Sequence, residues 1–308
     1  MKIGYFADGP WSHEAILLIS KTEGLNISFI VPRFDTQDPV LKDWADKLGV
    51  PYIPVKNVNS TAFIQDIKKY NADLFISMSF NQILKNEIIN TPKLGFINCH
   101  AGALPFYRGR NPLNWALING EKSFGITVHY VDEGIDTGDI IEQRLYPISL
   151  SDDYASLLEL AINECAKVLH SATMKLNENK AKRLMQTDIH PVGTYFGMRT
   201  FGDEIIDFHW PSVQVHNFIR AINLPGPCAR CFIGDTEYAI QLSELISDAP
   251  SYIATIGEVL GRTSKGVVVK VGDKTILLTL MAEIEEGMPA EPFVPQFRIG
   301  TRFKPKNE

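Results

Sequence analysis

The chain has 308 residues, 45% of them hydrophobic, which is enough apolar material for a full core and, at this length, for two domains. Its formal net charge of -6 gives no general attraction to polyanions, no apolar run approaches the length of a membrane span, and the opening Met1-Lys-Ile-Gly-Tyr-Phe6 reads as a strand rather than a signal peptide. Four cysteines, at 99, 165, 228 and 231, are too few and too scattered for a disulfide framework, so the cytoplasm is the expected compartment.

Apolar strands alternate with amphipathic helices through the first half. The spacing predicts strands over 2–6, 27–31, 73–79 and 95–99, with helices near 13–23, 39–48, 61–70 and 112–119. This alternation argues for an α/β domain: a Rossmann-like, largely parallel sheet with helices on both faces. Residues 124–131 and 140–147 are β-rich, and 153–180 carries the apolar period of one long helix that should close the domain against the sheet. After 186 the pattern lapses into His190-Pro-Val-Gly-Thr-Tyr-Phe-Gly197, a turn-rich linker whose aromatics should dock on the first domain. A helix over 213–222 follows. Short β-rich runs at 238–242, 266–271 and 275–280, broken by Gly and Asp, then suggest a small β-barrel. The expected division is a catalytic domain over 1–186, a linker over 187–206 and a C-terminal domain over 207–308.

The first strand-to-helix turn, Ala7-Asp-Gly-Pro-Trp-Ser-His13, is not G-x-G-x-x-G, so a dinucleotide site is not expected. Asp8-Gly9-Pro10 reads as a turn with Ser12 as a helix cap. Equally, it reads as a substrate contact whose helix N-terminus receives a diphosphate.

The chemistry concentrates where the fourth strand stops. In Phe96-Ile-Asn-Cys-His100, Asn98 and His100 lie two residues apart on extended chain, facing the same way at the carboxyl end of a sheet strand. Leu104-Pro105 forces a turn, Arg108-Gly-Arg-Asn-Pro112 follows as a cationic loop, and Asp132-Glu-Gly-Ile-Asp-Thr-Gly138 builds an acidic one. An amide can hold a developing oxyanion, an imidazole can move a proton near neutral pH, and a carboxylate can fix the imidazole's tautomer. Acyl transfer needs those three tasks done. His129 sits in a β pattern and is read as a hydrogen-bonded structural histidine. His170, His190, His209 and His216 have no motif around them, and Cys228-Ala-Arg-Cys231 lacks the second pair of ligands that a zinc site needs.

Five separate elements in order then carry a family resemblance: Asn98-Cys-His100, Leu104-Pro105, Tyr107-Arg-Gly109, Gly125-Ile-Thr-Val-His129 and Asp136-Thr-Gly138. They resemble the formyltetrahydrofolate-dependent formyltransferases, in which Asn, His and Asp form the catalytic set. Arg199-Thr-Phe-Gly-Asp203, Ile206-Asp-Phe-His-Trp210 and Phe218-Ile-Arg-Ala-Ile222 extend the resemblance in outline over the whole chain, matching the linker and second domain of the methionyl-tRNA and amino-sugar branches. One departure is visible: those branches usually place Ser where this chain has Gly102.

The resemblance implies catalytic roles for Asn98, His100 and Asp136, an OB-like fold for the second domain, and 10-formyltetrahydrofolate as donor with no metal. It assigns the donor's pterin to Met78, Phe80, Gln82, Ile83, Val131 and Asp132, with main-chain groups at its edge and an apolar wall against its ring. In the implied reaction a substrate amine attacks the formyl carbon. Asn98 and protonated His100 stabilise the oxygen, or neutral His100 takes the amine proton. Asp136 orients His100 and helps pass the proton to the leaving nitrogen. That division of labour stays open.

The acceptor separates the branches. Methionyl-tRNA formyltransferases typically carry a basic insertion after the second strand; here Val31-Pro-Arg-Phe-Asp-Thr-Gln-Asp-Pro-Val-Leu-Lys42 has two basic and two acidic residues. Phe106-Tyr-Arg-Gly-Arg-Asn-Pro-Leu-Asn-Trp115 is instead similar to the nucleotide-amino-sugar N-formyltransferases of surface-polysaccharide pathways. This assigns Arg108, Arg110, Asn111 and Asn114 to the acceptor, because two guanidiniums suit a diphosphate, while a structural ion-pair role for Arg108 stays open. The expected acceptor is a UDP- or dTDP-linked amino sugar, with neither a membrane nor a nucleic acid as partner; a homodimer stays open. Two alternatives are kept. One is a methionyl-tRNA formyltransferase, for which the fold could gather Arg220, Arg230, Arg262, Lys265, Lys270 and Lys274 on one face. The other is a catalytically silent binder of folate or nucleotide-sugar.

Overall fold

Residues Ile3 to Ala7 are all buried, the signature of a strand covered on both faces. The structure, a computed structural model that describes residues 1–304, places this strand inside a six-stranded sheet. In chain order the first elements are β1 (Lys2–Ala7), α1 (Gly9–Ser20), β2 (Asn26–Pro32), α2 (Pro39–Leu48), α3 (Thr61–Lys68), β3 (Leu74–Met78), α4 (Asn86–Ile89) and β4 (Phe96–His100). Next come β5 (Arg108–Gly109), α5 (Pro112–Ile118), β6 (Ser123–Tyr130), β7 (Ile140–Pro147), α6 (Tyr154–Asn177), α7 (Gln186–Ile189) and β8 (Tyr195–Phe196). The remainder is α8 (Ser212–Ile222), β9 (Ala229–Ile233), β10 (Thr236–Leu245), β11 (Val259–Thr263), β12 (Gly266–Lys270), β13 (Thr275–Glu285) and β14 (Met288–Pro289).

The first sheet has the order β2-β1-β3-β4-β6-β7. β1 pairs in parallel with β2 and β3, and β3 with β4, whereas β4 and β6 run antiparallel. The expected strands are all present, and the sheet is mixed at the β6 side.

One face of the sheet is packed with aromatic rings. Phe6 lies 5.2 Å from Phe75, 5.0 Å from Phe96 and 5.8 Å from Phe29, centroid to centroid. Gly4 makes room for this cluster, since a Cβ there would fall 2.7 Å from the Phe75 ring and onto that of Phe29. Tyr5 points the other way and donates its hydroxyl to Ser12 O of α1 at 2.8 Å. α1 begins at Gly9, four residues before the helical spacing suggested, because Pro10 sits in the first turn, where a missing N–H costs nothing.

Two compact units share the chain. The first holds Met1–Pro112, Phe124–Tyr146 and Glu159–Gly197; the second holds Leu113–Ser123, Pro147–Leu158 and Met198 onward. Within the second, an antiparallel sheet of order β11-β12-β13-β10-β9 carries β14 on β13. Its two edges meet through one segment: Phe232 of β9 exchanges main-chain bonds with Lys304 at 2.9 and 3.0 Å, and Val259 of β11 donates to Thr301 O at 2.8 Å. A sheet whose edges are joined in this way is a small barrel.

Candidate active site

Antiparallel pairing of β4 with β6 sets Asn98 opposite His129 and His100 opposite Thr127. Side chains two apart on a strand share a face, so these four residues converge at the carboxyl end of β4. The Thr127 hydroxyl fixes the turn that follows, donating to Gly102 O at 2.7 Å and accepting from Leu104 N at 3.3 Å.

His100 is buried, and its Nε2 lies 2.7 Å from Tyr107 O. A carbonyl only accepts, so Nε2 carries a proton. Its Nδ1 then faces Asp136, 3.7 Å from Oδ2, at ion-pair distance when the ring holds its second proton. Gly102 permits this placement: a Cβ there would stand 2.5 Å from His100 Nε2 and 2.7 Å from Tyr107 O. The missing serine of the family pattern is thus a slot for the imidazole.

Sequence reasoning set His129 aside, yet it touches two of the three expected residues. Its Nδ1 donates to Tyr130 O at 2.8 Å, which leaves Nε2 facing the Asn98 amide nitrogen at 3.3 Å and Asp136 Oδ1 at 3.4 Å. The signal that could have found it is the register itself. Asp136 completes the cluster and takes the Gly109 N–H on Oδ2 at 2.9 Å. Burial is the largest influence on its carboxyl and acts to raise it, but the facing His100 and His129 rings with the Gly109 N–H together hold it well below the usual carboxylate range. An amide, two imidazoles and an ionised carboxylate in one buried contact network can move a proton and receive a developing negative charge.

The cationic loop divides. The Arg108 guanidinium donates from Nε and Nη2 to Gln186 Oε1 at 3.0 and 2.7 Å, and from Nη1 to Val192 O at 3.0 Å. It serves to tie the loop to the 186–196 segment, where Phe196 also stacks on Tyr107 at 5.2 Å. Arg110 and Asn111 are exposed, Asn111 with a positive φ of 53°. Asn114 is elsewhere: it is 2% exposed in the second unit and gives its amide to Ala221 O at 2.5 Å. That placement makes it a packing residue rather than a residue open to a ligand.

Of the residues assigned to the pterin, Met78 is buried in the core and Gln82 bridges Val58 N and Val55 O at 3.0 Å each. Phe80 and Val131 are half-buried against the aromatic cluster. Ile83 is 73% exposed, as is about half of Ile135 on the acidic loop. Asp132 accepts from Gly134 N at 3.1 Å and from the Thr137 hydroxyl at 2.6 Å, holding that loop. Exposed apolar side chains on the two loops suit a flat ring system.

The β1–α1 turn does not offer an anion seat. Asp38 already accepts from Gly9 N at 2.7 Å and meets His13 Nε2 at 2.6 Å, so the α1 N-terminus is neutralised by the protein's own carboxylate. The cation of the loop after β2 is also taken: Arg33 is paired to Asp35 at 2.5 Å and lies 3.7 Å from Asp8.

Residues 8–173 match the family described as formyl transferase, and residues 200–298 match formyl transferase, C-terminal domain. A methionyl-tRNA formyltransferase of Ruminiclostridium cellulolyticum is 31% identical over 293 residues, covering 92% of each chain. WlaRD, a sugar 3N-formyl transferase solved in the presence of dTDP and 5-N-formyl-THF, shares the fold with a TM-score of 0.68 at 22% identity, over 93% of this chain and 98% of that one. An N-formyltransferase from Helicobacter canadensis, solved with folinic acid and dTDP-3-aminofucose, gives 0.67 at 20% identity, over 90% and 99%. The relatives by sequence and the neighbours by fold thus carry different acceptors in their names.

Proposed function

Because this chain belongs to the formyl transferase family, we propose that the acceptor of its formyl group is the amine of a UDP- or dTDP-linked amino sugar, formylated for surface-polysaccharide or glycan synthesis. The enzyme is a folate-dependent N-formyltransferase, and formyltetrahydrofolate supplies the carbon that the amine attacks. The Asn98 amide offers N–H to the oxygen that gains charge. His100, with Nε2 held by Tyr107 O, takes the amine proton at Nδ1 and gives it to the folate nitrogen as the bond between that nitrogen and the formyl carbon breaks. Asp136 Oδ2, 3.7 Å from Nδ1 of His100, balances the imidazolium. Arg110 and Asn111 meet the acceptor.

The observation that carries the choice of acceptor is the fate of the basic residues in the second unit. A tRNA acceptor needs several exposed cations to displace counterions from phosphates. Arg220 and Arg230 are each 8% exposed and Lys270 is 1% exposed. Arg220 is held by Ser149 O and Asp152 O, Arg230 by Glu237, and Lys270 by Val271 O. Half of the basic set is internal, and Lys265 is paired with Glu244 at 3.4 Å. The 31% identity to a methionyl-tRNA formyltransferase over nearly the whole chain favours the second reading, translation initiation.

A panel of UDP- and dTDP-linked amino sugars, each incubated with formyltetrahydrofolate and the protein, tests the first reading through acceptor-dependent release of tetrahydrofolate. Release with at least one member is expected. Silence across the panel would sink it.

A further inference from the structure

We propose that Gln186 is a positioning residue for the reaction, its amide clamping the loop that carries Asp136 to the loop that carries Arg108. The inference rests on the reading of Asp136 as the carboxylate serving His100, and not on the identity of the acceptor. Gln186 opens α7 and is 3% exposed. Its Oε1 accepts from Arg108 Nε and Nη2 at 3.0 and 2.7 Å, and its Nε2 donates to Asp136 O at 2.7 Å and Gly138 O at 2.8 Å. Both lone pairs and both N–H groups of the amide are therefore used. Its orientation is not free either: a guanidinium can only donate and a carbonyl can only accept.

The acidic loop needs such a clamp. Asp136 has a φ of 54°, in the left-handed region that side-chain-bearing residues avoid, and a Cβ on Gly138 would fall onto Tyr130 O. Two hydrogen bonds from one buried side chain to main-chain carbonyls on either side of Thr137 hold this conformation. The same side chain grips Arg108, whose neighbour Gly109 donates its N–H to the Asp136 carboxylate at 2.9 Å. A closed circuit results, from Gln186 through Arg108 and Gly109 to Asp136 and back, and it sets the distance between that carboxylate and His100.

Glutamate and methionine at this position separate the two halves of the clamp. Gln186→Glu keeps an acceptor for Arg108, so the fold should survive, but it sets a carboxylate against two carbonyls. Gln186→Met removes both halves. The readouts are the NMR titrations of the His100 and His129 rings, thermal midpoint, and kcat against KM for the donor. Asp136→Asn is measured beside them. Asp136 and Tyr107 O face the His100 ring, and Asp136 and Asn98 face that of His129. In folded Gln186→Glu the His100 titration should be displaced from the parent's, as it is in Asp136→Asn. kcat should fall about tenfold or more with the donor's KM little changed. If Asp136→Asn moves the His100 titration and folded Gln186→Glu does not, the clamp is wrong while the carboxylate's role stands. If Asp136→Asn leaves that titration unmoved, the role on which the clamp depends fails with it.

Discussion

Asp136 is the residue on which most of the site converges: two histidines, a main-chain N–H and the Gln186 amide all reach it. Replacing His100 or Asp136 by alanine should lower turnover by about 10²- to 10⁴-fold, the usual worth of a positioned proton-transfer group, while circular dichroism shows an intact fold. Near-parental turnover in either variant would remove the assignment. The carboxylate also predicts a pH dependence of stability. Its folded-state value is depressed, despite burial, by the facing imidazoles and the Gly109 N–H. Its contribution is therefore fully present above the unfolded value of about 4 and is lost as the pH falls through the lower folded value. In denaturant titrations Asp136→Asn should be less stable than the parent near roughly pH 7, with the gap narrowing below about pH 4. A gap unchanged down to pH 3 would show that the electrostatic account is wrong.

Pairs of elements explain what the sequence made legible and what it did not. Asn98 and His100 were visible because the period of a strand is two, and a buried run ending in two polar residues at that spacing has few other readings. His129 was not, because its importance comes from the register of β4 against β6, which strand-by-strand periodicity does not reveal. Gln186 was invisible for the same reason: its three partners, Arg108, Asp136 and Gly138, lie 78, 50 and 48 residues earlier in the chain. Asn114 shows the converse. Its position on α5, next to the cationic loop in sequence, suggested a ligand contact, but the helix turns it onto Ala221 O in the last turn of α8, a carbonyl without a helical partner. Asn114→Ala should cost about 1–3 kcal/mol of stability in the second unit, with the acceptor's KM unchanged. Arg110→Ala should do the reverse, raising the acceptor's KM more than the donor's with the thermal midpoint unmoved. An acceptor KM that rises for Asn114→Ala but not for Arg110→Ala would exchange the two roles.

At the scale of the whole molecule, the proposed small acceptor is supported by where the charges lie. The chain carries a net charge of -6, Arg33 in the loop after β2 is paired with Asp35, and of Arg220, Arg230, Arg262, Lys265, Lys270 and Lys274 in the second unit three are buried and Lys265 is paired. Among the described residues no helix is long and apolar enough to cross a membrane. Alternating β and α in the first half and Gly-punctuated β runs in the second are legible in the sequence, but the grouping of 113–123 and 147–158 with the second unit is not. Nor is the closure of the barrel by residues 300–304, since isolated bridges leave no periodic signal. The central claim is the identity of the acceptor, and a single competition reaction addresses it most directly. The protein, limiting formyltetrahydrofolate, a UDP- or dTDP-linked amino sugar and initiator methionyl-tRNA are combined, at roughly 50 and 200 mM salt, and the formyl group is traced. The account predicts formyl on the amino sugar at both salts, with weak tRNA binding. Formyl on the charged methionine, with micromolar or tighter tRNA binding that falls steeply between the two salts, would contradict it.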